Sequence, residues 1–201
     1  MSGPSATDPT VEMKAYWQAL GEFVTQFAQT EKAFQGVYWR YAGVSVRVGQ
    51  ALMSGLRLKE MISLLPRALD VLKVDDPARA DLDDVMVHLG PIIAARNDIL
   101  HWGTEFTDGE EFKVHNKHIA HLQERVREFT VSVATLEAMT ADLSKASAHL
   151  ILHLLSGFAD SHALASSFAD ELNAAWRYKS PPQVVNPQKR SGKPPKHQRR
   201  R

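Results

Sequence analysis

An arginine and a histidine five residues apart are the residues of this sequence best suited to chemistry. Arg96 and His101 lie in the stretch AARNDILHWG at residues 94–103. Arginine stays charged and presents a planar fork of N–H donors that matches phosphate or carboxylate oxygens. Histidine, with an ordinary pKa of about 6.5, takes up or releases a proton near neutral pH. Together the two residue types suit acid–base chemistry at an anionic group.

Arg96 occupies a position at which the apolar periodicity predicts a hydrophobic residue. Apolar residues recur at three- and four-residue steps through the same stripe of a helix: Leu82, Val85, Met86, Leu89, Ile92, Ile93, Ile99 and Leu100. An unpaired charge is costly to bury, so Arg96 has a carboxylate partner, reaches water or faces a site for anions. Glu31, which fills a gap in the apolar stripe of the first predicted helix, is the natural carboxylate partner. The sequence leaves these readings open.

The elements that must position these residues are mostly helices. Apolar periodicity and capping residues predict helices over residues 11–42, 46–53 and 57–72, and a fourth helix that begins at Asp76-Pro77 and carries Arg96. Gly103 ends the fourth helix, and the turn dipeptide Asp108-Gly109 predicts a short hairpin or loop after it. A heptad-like pattern from Ile119 to Leu154 predicts one long helix over residues 116–155, and a last helix runs to about residue 178. The expected fold is an all-α bundle of long antiparallel helices.

The residues Arg96, Asn97, Asp98, Ile99, Leu100 and His101 resemble the motif of HEPN domains, in which an arginine and a polar residue precede a histidine. The predicted helix order over residues 11–155 is also similar to that family. The resemblance implies a metal-independent endoribonuclease that cleaves RNA by 2′-hydroxyl attack, without a cofactor. Arg96 and His101 would be its catalytic residues, and Asn97 would orient the histidine or the phosphate. Such domains commonly form their cleft between two protomers and serve as toxins or defence effectors, so a homodimer and a cognate inhibitor protein are further expected partners.

Helix geometry restricts how this motif can work. Five residues at about 100° each place His101 about 140° around the helix from Arg96, whereas Asn97 and His101 are neighbours. Either the end of the helix at Gly103 turns His101 toward the arginine, or a second copy of the chain supplies the missing group. The alternative to an enzyme is a non-catalytic helical module that binds a partner protein or nucleic acid, with Arg96 paired to Glu31.

Other polar and aromatic residues carry weaker signals. His115, His118 and His121 recur every three residues, and His149 and His153 are four apart, a spacing at which two imidazoles can share a metal ion. Since no carboxylate set completes either group in the sequence, we expect no metal site. The four tryptophans, Trp17, Trp39, Trp102 and Trp176, are expected to be core or interface residues, although Trp102 beside His101 could stack on a base.

Charge divides the chain of 201 residues into two parts. Residues 179–201 hold eight Lys and Arg and no acidic residue, while the other 16 basic residues face 23 acidic ones, so residues 1–178 carry about −7. We therefore expect a flexible N-terminus at 1–10, a helical domain at 11–178 and a disordered basic, Pro-rich tail at 179–201 that binds RNA or folds back on the acidic body. The lack of cysteine, of a secretory signal and of long apolar runs fits a cytoplasmic protein without membrane contact.

Overall fold

The computed structural model describes residues 11–107, 111–120, 126–156 and 161–181. Seven helices and three strands follow one another in these ranges: α1 (Val11–Tyr41), α2 (Val46–Met53), α3 (Leu58–Leu72), α4 (Asp76–Trp102), β1 (Thr104–Thr107), β2 (Glu111–His115), β3 (Glu128–Val131), α5 (Val133–Leu155), α6 (Ser161–Ser167) and α7 (Ala169–Asn173). The predicted all-α bundle is confirmed. No helix in the described part of the chain is long and apolar enough to cross a membrane.

Helices α1, α4 and α5 form the centre of the bundle. Thr30 of α1 lies against Leu143 and Ser147 of α5, and Gly36 lies against Leu154, so α1 and α5 run in the same direction and are not the antiparallel pair expected from the sequence. Helix α4 runs the opposite way, since Asp81 near its start contacts His153 near the end of α5. The apolar stripe that the sequence predicts on α4 is buried in this core from Leu82 to Ile99, apart from half-buried Arg96, but its last member, Leu100, is exposed.

A small antiparallel sheet of order β1-β2-β3 closes one end of the bundle. The β1-β2 hairpin confirms the hairpin predicted after the fourth helix, although Asp108-Gly109 themselves lie outside the described residues. Phe112 and Val114 of β2 point into the core, and the Tyr16 ring of α1 stacks on Phe112 at 3.6 Å. The sheet therefore covers the end of the bundle at which α4 finishes.

Two helix predictions are wrong in their extent. The helix expected over 116–155 covers only Val133–Leu155, because residues 128–131 form β3 and residues 116–120 form a turn. Ser132 begins α5 by accepting a hydrogen bond from the Thr135 amide, which is a local start signal. The last helix ends at Asn173, and residues 174–181 are an extended segment that we call the strap. Of the tail predicted at 179–201, residues 182–201 lie outside the described residues, as does the N-terminus at 1–10.

Candidate functional site

The three motif residues lie in the last two turns of α4. Arg96 is half-buried, and its guanidinium carbon is 5.1 Å from the centroid of the Phe27 ring on α1. One guanidinium nitrogen, Nη1, donates to the Asn97 side-chain oxygen at 3.1 Å. Contact with an aromatic face and with a neutral amide leaves the positive charge of Arg96 uncompensated by either partner.

Glu31 does not pair with Arg96, so that expectation is wrong. Its Oε1 accepts a hydrogen bond from the Leu58 amide at 3.1 Å, where it caps the first turn of α3. Within the described residues, no carboxylate lies within ion-pair distance of the Arg96 guanidinium. An anion-binding role for Arg96 therefore has no carboxylate competitor in this part of the structure.

His101 is exposed and remains within α4. The helix continues to Trp102 and ends at Gly103, whose φ of 74° is a left-handed value that glycine adopts without strain. The end of the helix therefore does not turn His101 toward Arg96, and the structure does not bring these two side chains together within one chain. Asn97 lies between them around the helix, one turn before His101.

Asp98 adds a negative charge beside the motif. Burial raises the pKa of the Asp98 carboxyl, and the charges of Arg127 and His101 act against this shift. The Tyr178 ring of the strap is also close, since the charge of Asp98 contributes to the raised pKa of the Tyr178 hydroxyl after burial as the main cause. The ionisation of Asp98 is thus influenced by two basic groups, and Asp98 in turn influences the Tyr178 phenol of the strap.

A second polar cluster lies near the other end of the bundle. Asp81 on α4 contacts two histidines of α5, with Oδ1 at 2.7 Å from His149 Nδ1 and Oδ2 at 2.8 Å from His153 Nε2. The other ring nitrogen of His153 is 3.1 Å from the Tyr41 hydroxyl. Burial alone would raise the pKa of Asp81, but hydrogen bonds from both histidines outweigh it and hold the pKa well below its usual range.

The Asp81 cluster corrects the sequence-based account of the histidine pair. The spacing of His149 and His153 is visible in the sequence, but their carboxylate partner lies about 70 residues earlier and is revealed only by the antiparallel contact of α4 and α5. Each Asp81 oxygen faces one imidazole, so the arrangement is a hydrogen-bonded bridge. The described residues contain no group of three side chains that could hold a metal ion. His121, the third member of the other series, lies outside these residues.

The strap crosses the groove between α4 and α5 and is held at several points. Asp142, which is buried, accepts hydrogen bonds from the backbone amides of Arg177 and Tyr178, both at 2.8 Å. The Trp176 ring stacks on His88 at 4.1 Å, and its Nε1 donates to Asp84 at 2.9 Å. These contacts confirm Trp176 as a packing residue and fix the course of the chain up to the start of the basic tail.

The remaining tryptophans differ in environment. Trp102 is half-buried and meets Phe129 edge to face, and half-buried Trp39 covers Gly49, where a Cβ would lie 2.6 Å from its ring. Trp17 is not a core residue, because 52% of it is exposed, and an interface position for it stays a prediction.

Comparison of this chain with protein-family models, with curated protein sequences and with solved structures finds no significant match. The similarity to HEPN domains consequently rests on the motif and the order of helices.

Proposed function

We propose that this chain is a HEPN-like, metal-independent endoribonuclease. In this proposal Arg96 binds the scissile phosphate, Asn97 positions the guanidinium, and His101 transfers a proton. The observation that carries the proposal is the environment of Arg96. Its guanidinium donates a hydrogen bond to Asn97, while the Glu31 carboxylate accepts a hydrogen bond from α3. A half-buried arginine without a carboxylate partner among the described residues is well suited to bind an anion.

The chemistry requires a proton acceptor for the ribose 2′-hydroxyl and a stabiliser for the charge that develops on the phosphate. The His101 imidazole at the protein surface supplies the first, since it is accessible to RNA and imidazole is the side chain most often used as a general base. A guanidinium supplies the second, with donors that match two phosphate oxygens. Attack by the 2′-hydroxyl releases the 5′-oxygen and leaves a 2′,3′-cyclic phosphate, with one proton removed and one returned.

A homodimer would complete this site. His101 lies on the same side of α4 as Val87, Gly90, Pro91 and Ala94, all of them exposed. Small and apolar residues of this kind let two helices approach closely, so a symmetric contact along this face would place both copies of His101 at the dimer interface. Light scattering tests the dimer, and a Val87→Glu substitution on this face should shift it toward monomer and lower cleavage.

The deciding experiment is cleavage of varied single-stranded RNAs by wild type and by His101→Ala. We expect the variant to lose roughly 100-fold or more in rate, because general acid–base catalysis commonly contributes that much. Its melting temperature should hardly change, since the His101 side chain is exposed. Cleavage should survive a chelator, leave 2′,3′-cyclic phosphate ends and fail on RNA with a 2′-deoxy residue at the cut.

His88→Ala is the matched control, because His88 lies on the same helix but packs against Trp176 away from the motif. Wild-type rates in His101→Ala, or cleavage that a chelator abolishes, would contradict this mechanism.

The second candidate is a non-catalytic module that binds RNA or a protein. The observation that favours it is the divergence of Arg96 and His101 within one chain. A wild-type protein that is inactive on all RNAs tested, yet binds one of them or a cognate inhibitor, would establish this alternative. The role of a toxin or defence effector depends on the nuclease and is tested by growth arrest on expression, with His101→Ala as the control.

A further inference from the structure

A shallow groove at the surface of α1 and α5 is separate from the motif. It has a volume of about 560 Å³ and is lined by Trp17, Gln18, Gly21, Glu22, Thr25, Gln26 and Thr140. This volume falls within the range of roughly 300–1,000 Å³ that is usual for small-molecule sites. The groove is large enough to hold one flat heterocycle with its sugar.

Trp17 and Gly21 give the groove a flat, accessible aromatic wall. The two residues are one helical turn apart, so they are neighbours on the surface of α1. Just over half of Trp17 is exposed, and a Cβ built at Gly21 would meet nothing within 4 Å. A planar ring can therefore lie against the indole face without meeting a side chain at position 21.

The polar rim of the groove offers mainly hydrogen-bond acceptors. The Gln18 amide nitrogen donates to Glu22 Oε1 at 3.0 Å, and the Gln26 amide nitrogen lies 3.4 Å from the Ser147 hydroxyl. Each bond uses one of the two N–H donors of its amide group, while both amide oxygens and the carboxylate retain capacity to accept, so acceptors outnumber the remaining amide donors. None of the seven lining residues is basic. A phosphate is poorly matched to this surface, whereas a ring that carries an amino group is well matched.

We propose that this groove binds an amino-bearing nucleobase, which stacks on Trp17 and donates its exocyclic N–H groups to the acceptor rim. Aromatic stacking recognises any base by its face, and the rim adds a preference for adenine over its oxo analogue hypoxanthine. The groove would hold a base of single-stranded RNA at a distance from the scissile phosphate.

The location of the groove agrees with such a role. Ten residues separate Trp17 from Phe27, the ring under Arg96, which corresponds to about 15 Å along the axis of α1. A single strand could span this distance with a few nucleotides. This assignment of a base subsite to the RNA substrate rests on the proposed function, but nucleoside binding at Trp17 does not.

The test uses the four tryptophan indole N–H signals of the full chain in a ¹⁵N-labelled NMR sample, assigned by single Trp→Phe variants. Adenosine at millimolar concentration should shift the Trp17 signal and leave those of Trp39 and Trp102 in place. Inosine should shift it less, and ribose 5-phosphate should not shift it. An equal response to ribose 5-phosphate, or no response of Trp17 to adenosine, would overturn the proposal.

Two variants separate loss of the groove from loss of the fold. Gly21→Leu fills the groove without removing Trp17 and favours the helix, so it should abolish the adenosine response while the protein stays folded. In the His101→Ala background, which prevents cleavage, Trp17→Ala should weaken binding of an oligoadenylate by roughly 5- to 100-fold, the range for loss of one stacked base. Leu52→Ala, which changes another exposed apolar residue, on α2, should leave that affinity unchanged.

The outcomes distinguish this proposal from the nuclease. A Trp17 response to adenosine in a protein that cleaves no RNA would uphold the base site and reject the nuclease. Cleavage by wild type with no effect of Trp17→Ala on RNA affinity would reject the base site alone.

Discussion

Arg96 rests on the face of the Phe27 ring at 5.1 Å, and its charge is not neutralised by Glu31. Residues 27 and 31 are one turn apart on α1, so they are neighbours on the surface of that helix. The carboxylate nevertheless caps α3, and the aromatic ring supports the guanidinium. A cation on an aromatic face keeps N–H donors at its edge, which is the part of arginine that binds phosphate.

The first prediction is that Arg96 and Glu31 contribute independently to stability. Arg96→Met should lower the free energy of unfolding by about 1 kcal/mol, the scale of a lost cation–π contact. Glu31→Gln should lower it by about 1 kcal/mol through weaker capping of α3. Because the two residues form no ion pair, the double variant should equal the sum of the single variants within about 0.5 kcal/mol. Urea denaturation measures all three.

Phe27→Leu provides the matched control for this cycle. Its effect should depend on whether position 96 is Arg or Met, since these two side chains are in contact. A large coupling free energy between Arg96 and Glu31, together with none between Arg96 and Phe27, would contradict the observed contacts.

The sequence predicts α1 to α4 well because their signals are local. The apolar stripe of α1, the Asp76-Pro77 start of α4 and the glycine at position 103 each act within a few residues. The prediction of one helix over 116–155 was wrong in its first half because Phe129 fits both the heptad-like pattern and, together with Val131, the alternation of a strand. Both residues form a strand because they pair with Phe112 and Val114 of β2. This contact is non-local, so the periodicity of the sequence does not show it.

For the same reason, only part of the candidate site could be predicted from the sequence. The motif residues and the 140° angle between Arg96 and His101 follow from helix geometry. Three other features could not be predicted, because each depends on which helices lie side by side. They are the bond of Glu31 to α3, the bridge from Asp81 to His149 and the exposure of Trp17. These tertiary contacts also decide that Asp142, an ordinary polar position in the sequence, is the buried anchor of the strap.

The second prediction concerns the pH dependence of stability through Asp81. Its pKa is lowered in the folded protein by His149 and His153, so the carboxylate stabilises the fold when ionised. This contribution is complete above the unfolded pKa of Asp, about 4, and disappears as the pH falls from there toward the lower folded pKa. The difference in stability between wild type and Asp81→Asn should therefore be large at pH 7 and shrink on acidification below about pH 4.

Denaturant unfolding at several pH values measures this difference. Asp83→Asn is a suitable control, because Asp83 pairs with Arg79 on the surface and touches neither histidine. A gap between wild type and Asp81→Asn that grows on acidification below pH 4 would refute the assigned role of Asp81.

The third prediction separates the strap from the tail. Truncation after Pro181 should leave the melting temperature nearly unchanged, since all described contacts of the strap are kept. Truncation after Asn173 should destabilise the protein by roughly 3–5 kcal/mol, because buried Asp142 then loses two backbone donors and keeps its charge. Asp142→Leu in the shorter chain should recover part of the loss. Equal stability of the two truncated proteins would show that the strap is not an anchor.

The fourth prediction is that the tail contributes affinity for RNA without sequence preference. The strap passes Asp142 and brings Tyr178 near Asp98, so the chain continues from the end of α4 that carries His101. Seven of the eight basic residues of the segment 179–201 follow Pro181, and positive charges in a segment without acidic residues release counterions when they meet phosphates. The chain truncated after Pro181 should bind RNA more weakly at low salt and with a shallower dependence on salt than the full chain.

Fluorescence anisotropy in the His101→Ala background, over a series of salt concentrations, gives both quantities. Equal affinity and slope in the two proteins would exclude the tail from RNA binding, whereas loss of affinity that salt does not modulate would indicate a role other than phosphate contact.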